Sequence, residues 1–170
     1  MPTGHTGIDD KIRGLVKGGL TFIKALRGQG KTELVRYFEV GLLKQNTRLA
    51  LLHMEEMKST TYRAMATYEL GWNVRTKEDA VTTGFSEDQV IKAAQKMAGG
   101  ENTVIFEMRS HDDPMQLLDY VRLAATVYDA EYIFIDHVQR LAYLSNSGVD
   151  AATSTLTTLG SRMAQLAKEL

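Results

Sequence analysis

The chain has 170 residues, 44% hydrophobic and 24% charged, with only two prolines; a protein of this length hides roughly 70% of its unfolded surface on folding, so one compact domain is expected and a disordered or collagen-like chain is excluded. Its 20 basic and 21 acidic residues leave a net charge of −1, which argues against nucleic-acid binding by bulk positive charge and requires any polyanion site to be built locally. The lack of cysteine, the scattered placing of His5, His53, His111 and His137, and the want of any long apolar run exclude disulfides, cysteine nucleophiles, zinc-type spacing and a membrane span of roughly 20 residues.

In chain order, Leu20 to Leu26 is a short β-prone run that stops at Arg27-Gly28-Gln29-Gly30, after which a helical pattern runs to about Lys44. A second strand is expected over Arg48–Glu55, nearly continuous in apolar character, as when helices cover both faces of a parallel sheet. Ser59–Leu70 reads as a helix with Ser59, Thr60 or Thr61 as N-cap material and Gly71 as the stop. Residues 72–85 read as irregular. Ser86 opens the next helix, to about Ala98, closed by Gly99-Gly100. A third strand is expected over Thr103–Met108, then a helix that begins with Asp112-Asp113-Pro114 and runs to about Tyr128. The fourth strand is Glu131–Asp136, followed by a polar loop at Ser145–Asp150 and a last helix from about Ala152. Strands alternating with helices make the fold class α/β with a mainly parallel sheet, so ligand-binding residues are expected just after Leu26, Glu55, Met108 and Asp136.

The strongest motif is Ala25-Leu26-Arg27-Gly28-Gln29-Gly30-Lys31-Thr32. It fits the phosphate-binding P-loop, or Walker A, pattern except that alanine replaces the first glycine. Between a strand and a helix, small residues let backbone N–H groups face phosphate oxygens at the positive end of the helix dipole. Lys31 then reaches the terminal phosphates and the Thr32 hydroxyl serves Mg²⁺. Tyr132-Ile133-Phe134-Ile135-Asp136 is an apolar strand ending in a carboxylate. Common when isolated, beside a P-loop it supplies the second anchor for a hydrated Mg²⁺. His137 and Gln139 follow it as candidate γ-phosphate sensors, with a packed or solvated side chain as the plainer reading of His137. The Glu55-Glu56 pair closes the second strand; one of the two could activate water, and otherwise they are a solvated acidic pair.

These residues resemble a family. GHTGIDDKIRG, GGLTFIKALRGQGKTELVRYF, LALLHMEE and YIFIDHVQRL, in that order, resemble the RecA-like motor domain of the DnaB-like hexameric replicative helicases, and particularly their phage primase-helicase and Twinkle branch. The resemblance implies a RecA-like P-loop NTPase that uses ATP or another nucleoside triphosphate with Mg²⁺. It implies Glu55, rather than Glu56, as the catalytic base, working with Lys31, and Thr32 and Asp136 at the metal. Single-stranded DNA is the implied partner, in a homo-hexamer with a primase domain or protein. The implied setting is the cytoplasm of a bacterial or phage-infected cell, ahead of a mitochondrial matrix.

In that family the loop after the fourth strand faces the DNA channel, which makes Leu144 to Asp150, with Ser145, Asn146, Ser147 and Gly148, and the nearby Arg140 candidate DNA contacts. Arg140 is the one lysine or arginine between Asp136 and Asp150, so modest affinity per subunit is expected. The closing SRMAQLAKEL resembles the family helix that precedes a further strand. The whole chain is therefore expected to be the N-terminal part of a helicase ATPase domain, with the arginine finger and other channel loops lying beyond it. Two other readings share the nucleotide site: a RecA- or KaiC-like recombination or regulatory ATPase, and a nucleotide-dependent assembly or loading module without unwinding activity.

Overall fold

The structure is a computed structural model that describes residues 1–26, 28–54, 56–107, 113, 115–138 and 149–170. The chain opens with helix α1 (Thr6–Ile12) and, after a long irregular stretch, helix α2 (Lys31–Leu43). Strand β1 (Leu49–His53), helices α3 (Lys58–Leu70), α4 (Lys77–Thr82) and α5 (Glu87–Ala98), and strand β2 (Thr103–Phe106) follow. Helix α6 (Gln116–Thr126), strand β3 (Tyr132–Asp136) and helix α7 (Val149–Glu169) complete the described elements. The strands form a parallel sheet in the order β2-β1-β3, with Leu49 opposite Thr103 and Tyr132 at one end and His53 opposite Asp136 at the other. The fold is α/β, as the alternation of strand and helix patterns implied. No helix among the described residues is long and apolar enough to cross a membrane.

All five residues of the central β1 are buried, and their alternation sorts the core into two layers. Leu49 and Leu51 join Leu42, Met65, Ala98 and Ile105 on the side of α2, α3 and α5. Ala50 and Leu52 join Phe106, Leu117, Leu159 and Met163 on the side of α6 and α7. On β3 Tyr132 and Phe134 lie with the first group, Ile133 and Ile135 with the second. A smaller cluster around Ala66, Val74, Ala80 and Val90 sews α4 onto α3 and α5.

Several expectations need correction. Leu20–Leu26 is not a strand; residues 21–26 carry no regular structure, and Leu20, Phe22 and Leu26 are 37%, 66% and 74% exposed. A β-prone run becomes a strand only when another strand takes its N–H and C=O groups, and none does so here among the described residues. The 72–85 stretch contains α4, whose signal was its capping box: Thr76 Oγ1 accepts from Asp79 N and Asp79 returns the bond to Thr76 N. None of Ser59, Thr60 and Thr61 caps α3, which starts after Met57 without a side-chain cap, and Thr61 is buried instead. Helix α1, which buries no residue, went unread, and α7 begins at Val149, inside the expected 145–150 loop.

Ser86 and Gly71 behave as read. Ser86 forms a capping box with Gln89, and Gly71 takes φ +72° at the α3 C-cap. Ser86→Ala should lower stability by about 1 kcal/mol, the ordinary worth of an N-cap hydroxyl, read as a lower midpoint in urea with an unchanged m value.

Candidate functional site

The layer rule positions the site. Even-numbered residues of β3 face α2, so Asp136, 6% exposed, ends its strand against the first turn of that helix. Thr32 Oγ1 donates to Asp136 Oδ2 at 2.7 Å, and Lys31 Nζ lies 3.4 Å from Asp136 Oδ1. Residues over a hundred positions apart in sequence thus meet at one buried carboxylate. His137 Nδ1 is 3.4 Å from the same Oδ1, with its ring partly exposed, which places it on the rim of the site.

Gly28 and Gly30 lead into α2 with φ +79° and +77°, a conformation that costs a side chain about 1 kcal/mol or more. A Cβ at either would meet nothing within 4 Å, so the glycines are required by backbone shape and leave open room in front of the loop. Gln29 N closes the turn onto Leu26 O at 3.3 Å. Among the described residues no side chain caps α2, and uncapped N–H groups at a helix start suit an anion. Ala25 and Leu26 are exposed at the loop's entrance. Arg27 and Glu55 of the expected site lie outside the described residues, as do Gln139 and the candidate DNA contacts Arg140, Ser145, Asn146, Ser147 and Gly148.

Sequence reading missed a polar line behind the site. Glu39 of α2 is fully buried, and its Oε1 sits 2.8 Å from His53 Nε2, while His53 Nδ1 is 2.9 Å from Thr61 Oγ1. The second Glu39 oxygen, Oε2, has no partner among the described residues. Arg36, one turn earlier and 2% exposed, pairs with Glu56 Oε2 at 2.7 Å. Glu56 is therefore not simply solvated, contrary to the plainer reading of the acidic pair. The signal was available: Arg36, Glu39 and His53 stand where the apolar period of α2 and β1 calls for core residues.

The donor set suits Mg²⁺ with a triphosphate. Among the described residues no group of three or more His, Asp or Glu side chains gathers to hold a cation alone. A hard cation at Thr32 and Asp136 would complete its shell with phosphate oxygens and water, as Mg²⁺ does in nucleotide sites. A separate cleft of about 330 Å³ at Asp113, Gln116, Asp119, Arg122 and Arg162 contains none of these residues.

Across residues 1–170 the sequence matches the family described as DnaB-like helicase C terminal domain. The chain belongs to this family. None of the curated proteins matches it. Membership makes the α/β sheet that of a RecA-like domain and places the chain among the NTP-dependent motor domains of replicative helicases.

Arg75 hydrogen-bonds Glu33, the residue after Thr32, and that bond, opposed by partial burial, holds the Glu33 carboxyl below its ordinary value. A lowered folded pKa gives stability that is complete above the ordinary carboxylate range and is lost as pH falls below about 5. Glu33→Gln should therefore flatten the acid limb of a melting-temperature profile and leave a small deficit at pH 7, the pair being partly exposed. His53→Ala should be far costlier, about 3 kcal/mol or more, because it leaves Glu39 buried without a partner; urea unfolding of His53→Ala against His53→Gln checks it.

Proposed function

We propose that this domain is the ATP-driven motor of a DNA helicase: it binds a nucleoside triphosphate with Mg²⁺, hydrolyses it, and as a homo-hexamer couples hydrolysis to movement along single-stranded DNA during replication. The observation that carries the reading is the meeting of Lys31, Thr32 and Asp136 at the start of α2, within a chain of the DnaB-like family. Lys31 supplies cationic charge against the terminal phosphates, and the glycine turn presents backbone N–H groups to the remaining oxygens. Thr32 and Asp136 hold the metal and its water shell. The metal, when bound, neutralises charge that develops on the phosphates as the terminal bond breaks.

Glu55 is the base in this reading. It follows β1, whose odd-numbered residues 49, 51 and 53 face α2. From there it takes the proton of the attacking water and fixes that water's direction. His137, beside Asp136, and Gln139 are proposed to report the state of the γ-phosphate. Asp136-His137 is similar to the phage branch, while Met54-Glu55-Glu56 and Gln139 are similar to the DnaB-like family more widely. Arg140 and Ser145 to Gly148 are the proposed DNA contacts, and a primase domain or protein is the proposed companion. The setting is the cytoplasm of a bacterial or phage-infected cell.

Lys31→Ala should abolish binding in a fluorescent-nucleotide titration, and unchanged affinity would sink the P-loop assignment. Glu55→Gln keeps size and hydrogen bonding but removes the base, so binding should survive while steady-state hydrolysis with single-stranded DNA falls by about 10² or more. Unwinding of a forked substrate by the full-length protein separates a helicase from a recombinase or a loading module.

A further inference from the structure

Arginine is almost never fully buried unless it is paired. Arg36 is 2% exposed, on the second turn of the helix that begins with Lys31, and its guanidinium reaches Glu56 Oε2 at 2.7 Å. Its Nε has no partner among the described residues, so the buried guanidinium is incompletely satisfied, and replacing such a buried charge by apolar side chains of similar size is often neutral or stabilising. Stability alone is a poor account of it; geometry is a better one.

The geometry concerns the two neighbours of position 55. On one side, Met54 N donates to Asp136 O at 2.7 Å, and His53 before it is held by Glu39 at 2.8 Å. On the other side, Glu56 is held by Arg36. The chain is thus fastened on both flanks of residue 55, to β3 at the metal-anchoring Asp136 and to α2 a turn beyond Lys31 and Thr32. These elements carry Lys31, Thr32 and Asp136 of the proposed reaction. From this arrangement we propose that Arg36 is a positioning residue for hydrolysis: through Glu56 it fixes the residue next to Glu55 relative to the P-loop helix. The proposal rests on the reading of Glu55 as the water-activating base. The planar, always charged guanidinium suits the task, because it holds a carboxylate in a defined orientation where a lysine gives only a point charge.

The test is a set of variants of the full-length protein, assayed with single-stranded DNA for kcat, KM and equilibrium nucleotide affinity, with melting temperatures alongside. Arg36→Gln should lower kcat by about tenfold or more, because small misplacements of reacting groups are costly, while nucleotide affinity stays within about threefold. Arg36→Lys should be intermediate. Glu56→Gln should shift kcat in the same direction by less, and because Glu56 is partly exposed it carries the test if Arg36→Gln fails to fold. In a Glu55→Gln background, Arg36→Gln should cause no further fall in kcat, since a positioning residue has nothing left to position. If Glu55→Gln is inactive but Arg36→Gln and Glu56→Gln both retain kcat, the positioning role is wrong and the base assignment stands. A fall that persists undiminished in the Glu55→Gln background, or one confined to nucleotide affinity, also overturns it. Activity in Glu55→Gln itself overturns the base and the positioning role together.

Discussion

The site depends on the period-two alternation of a buried parallel strand, locked in register to its neighbours. With His53 opposite Asp136 and Leu49 opposite Tyr132, every odd position of β1 and every even position of β3 points at α2. A one-residue slip of β3 against β1 would turn the β3 set over. Asp136 would then face α6 and α7 among Leu117, Leu159 and Met163, and Thr32 would lose its carboxylate. The same parity puts His53 against Glu39. Register, set by Leu49, Leu51, Ala50 and Leu52 choosing their apolar layers, therefore determines where the charge goes.

The two faces of the sheet differ in chemistry for that reason. The α6 and α7 side is closed by leucine, methionine and phenylalanine. The α2 side begins as apolar near Leu42, Leu49 and Leu51 and becomes polar toward the strand ends, where Arg36, Glu39, His53, Thr61 and Asp136 are all buried. Buried polar groups are costly unless matched. Most here are matched in pairs across elements, Thr61 with His53, His53 with Glu39, Arg36 with Glu56 and Thr32 with Asp136. These pairs tie α3 to β1, β1 to α2, the segment after β1 to α2, and α2 to β3, so the cost of burial is offset by fixing the elements that carry the proposed reaction.

Legibility in the sequence followed the range of the interaction concerned. Local signals were readable: the glycine turn before Lys31, the Ser86 cap, Gly71, the apolar blocks of β1, β2 and β3, and the carboxylate ending β3. The Leu20–Leu26 run shows what local signals miss, because strand formation depends on a neighbour and β propensity describes only the run itself. Thr61 shows the same in reverse. It looked like helix-cap material, yet His53 takes its hydroxyl into the core. Arg36 and Glu39 were overlooked because a charged residue on a helix is ordinarily solvated, and only contact with β1 and Glu56 makes these two exceptional.

The meeting of Lys31 and Thr32 with Asp136 also bears on the proposed binding of a nucleotide. A carboxylate at 6% exposure needs a cation or donors, and in this arrangement the P-loop supplies them: Lys31 at 3.4 Å and the Thr32 hydroxyl at 2.7 Å. Both are also the groups proposed to serve phosphate and metal. A triphosphate arriving without a divalent cation would draw Lys31 toward its own charge and leave Asp136 less compensated at the edge of a phosphate cluster, with two like charges brought together. Arriving with Mg²⁺, it brings the positive charge that replaces Lys31 beside the carboxylate, so phosphate and metal are each favoured by the other. In the proposed function this coupling would rest on the sharing of Asp136 between Lys31 and the metal.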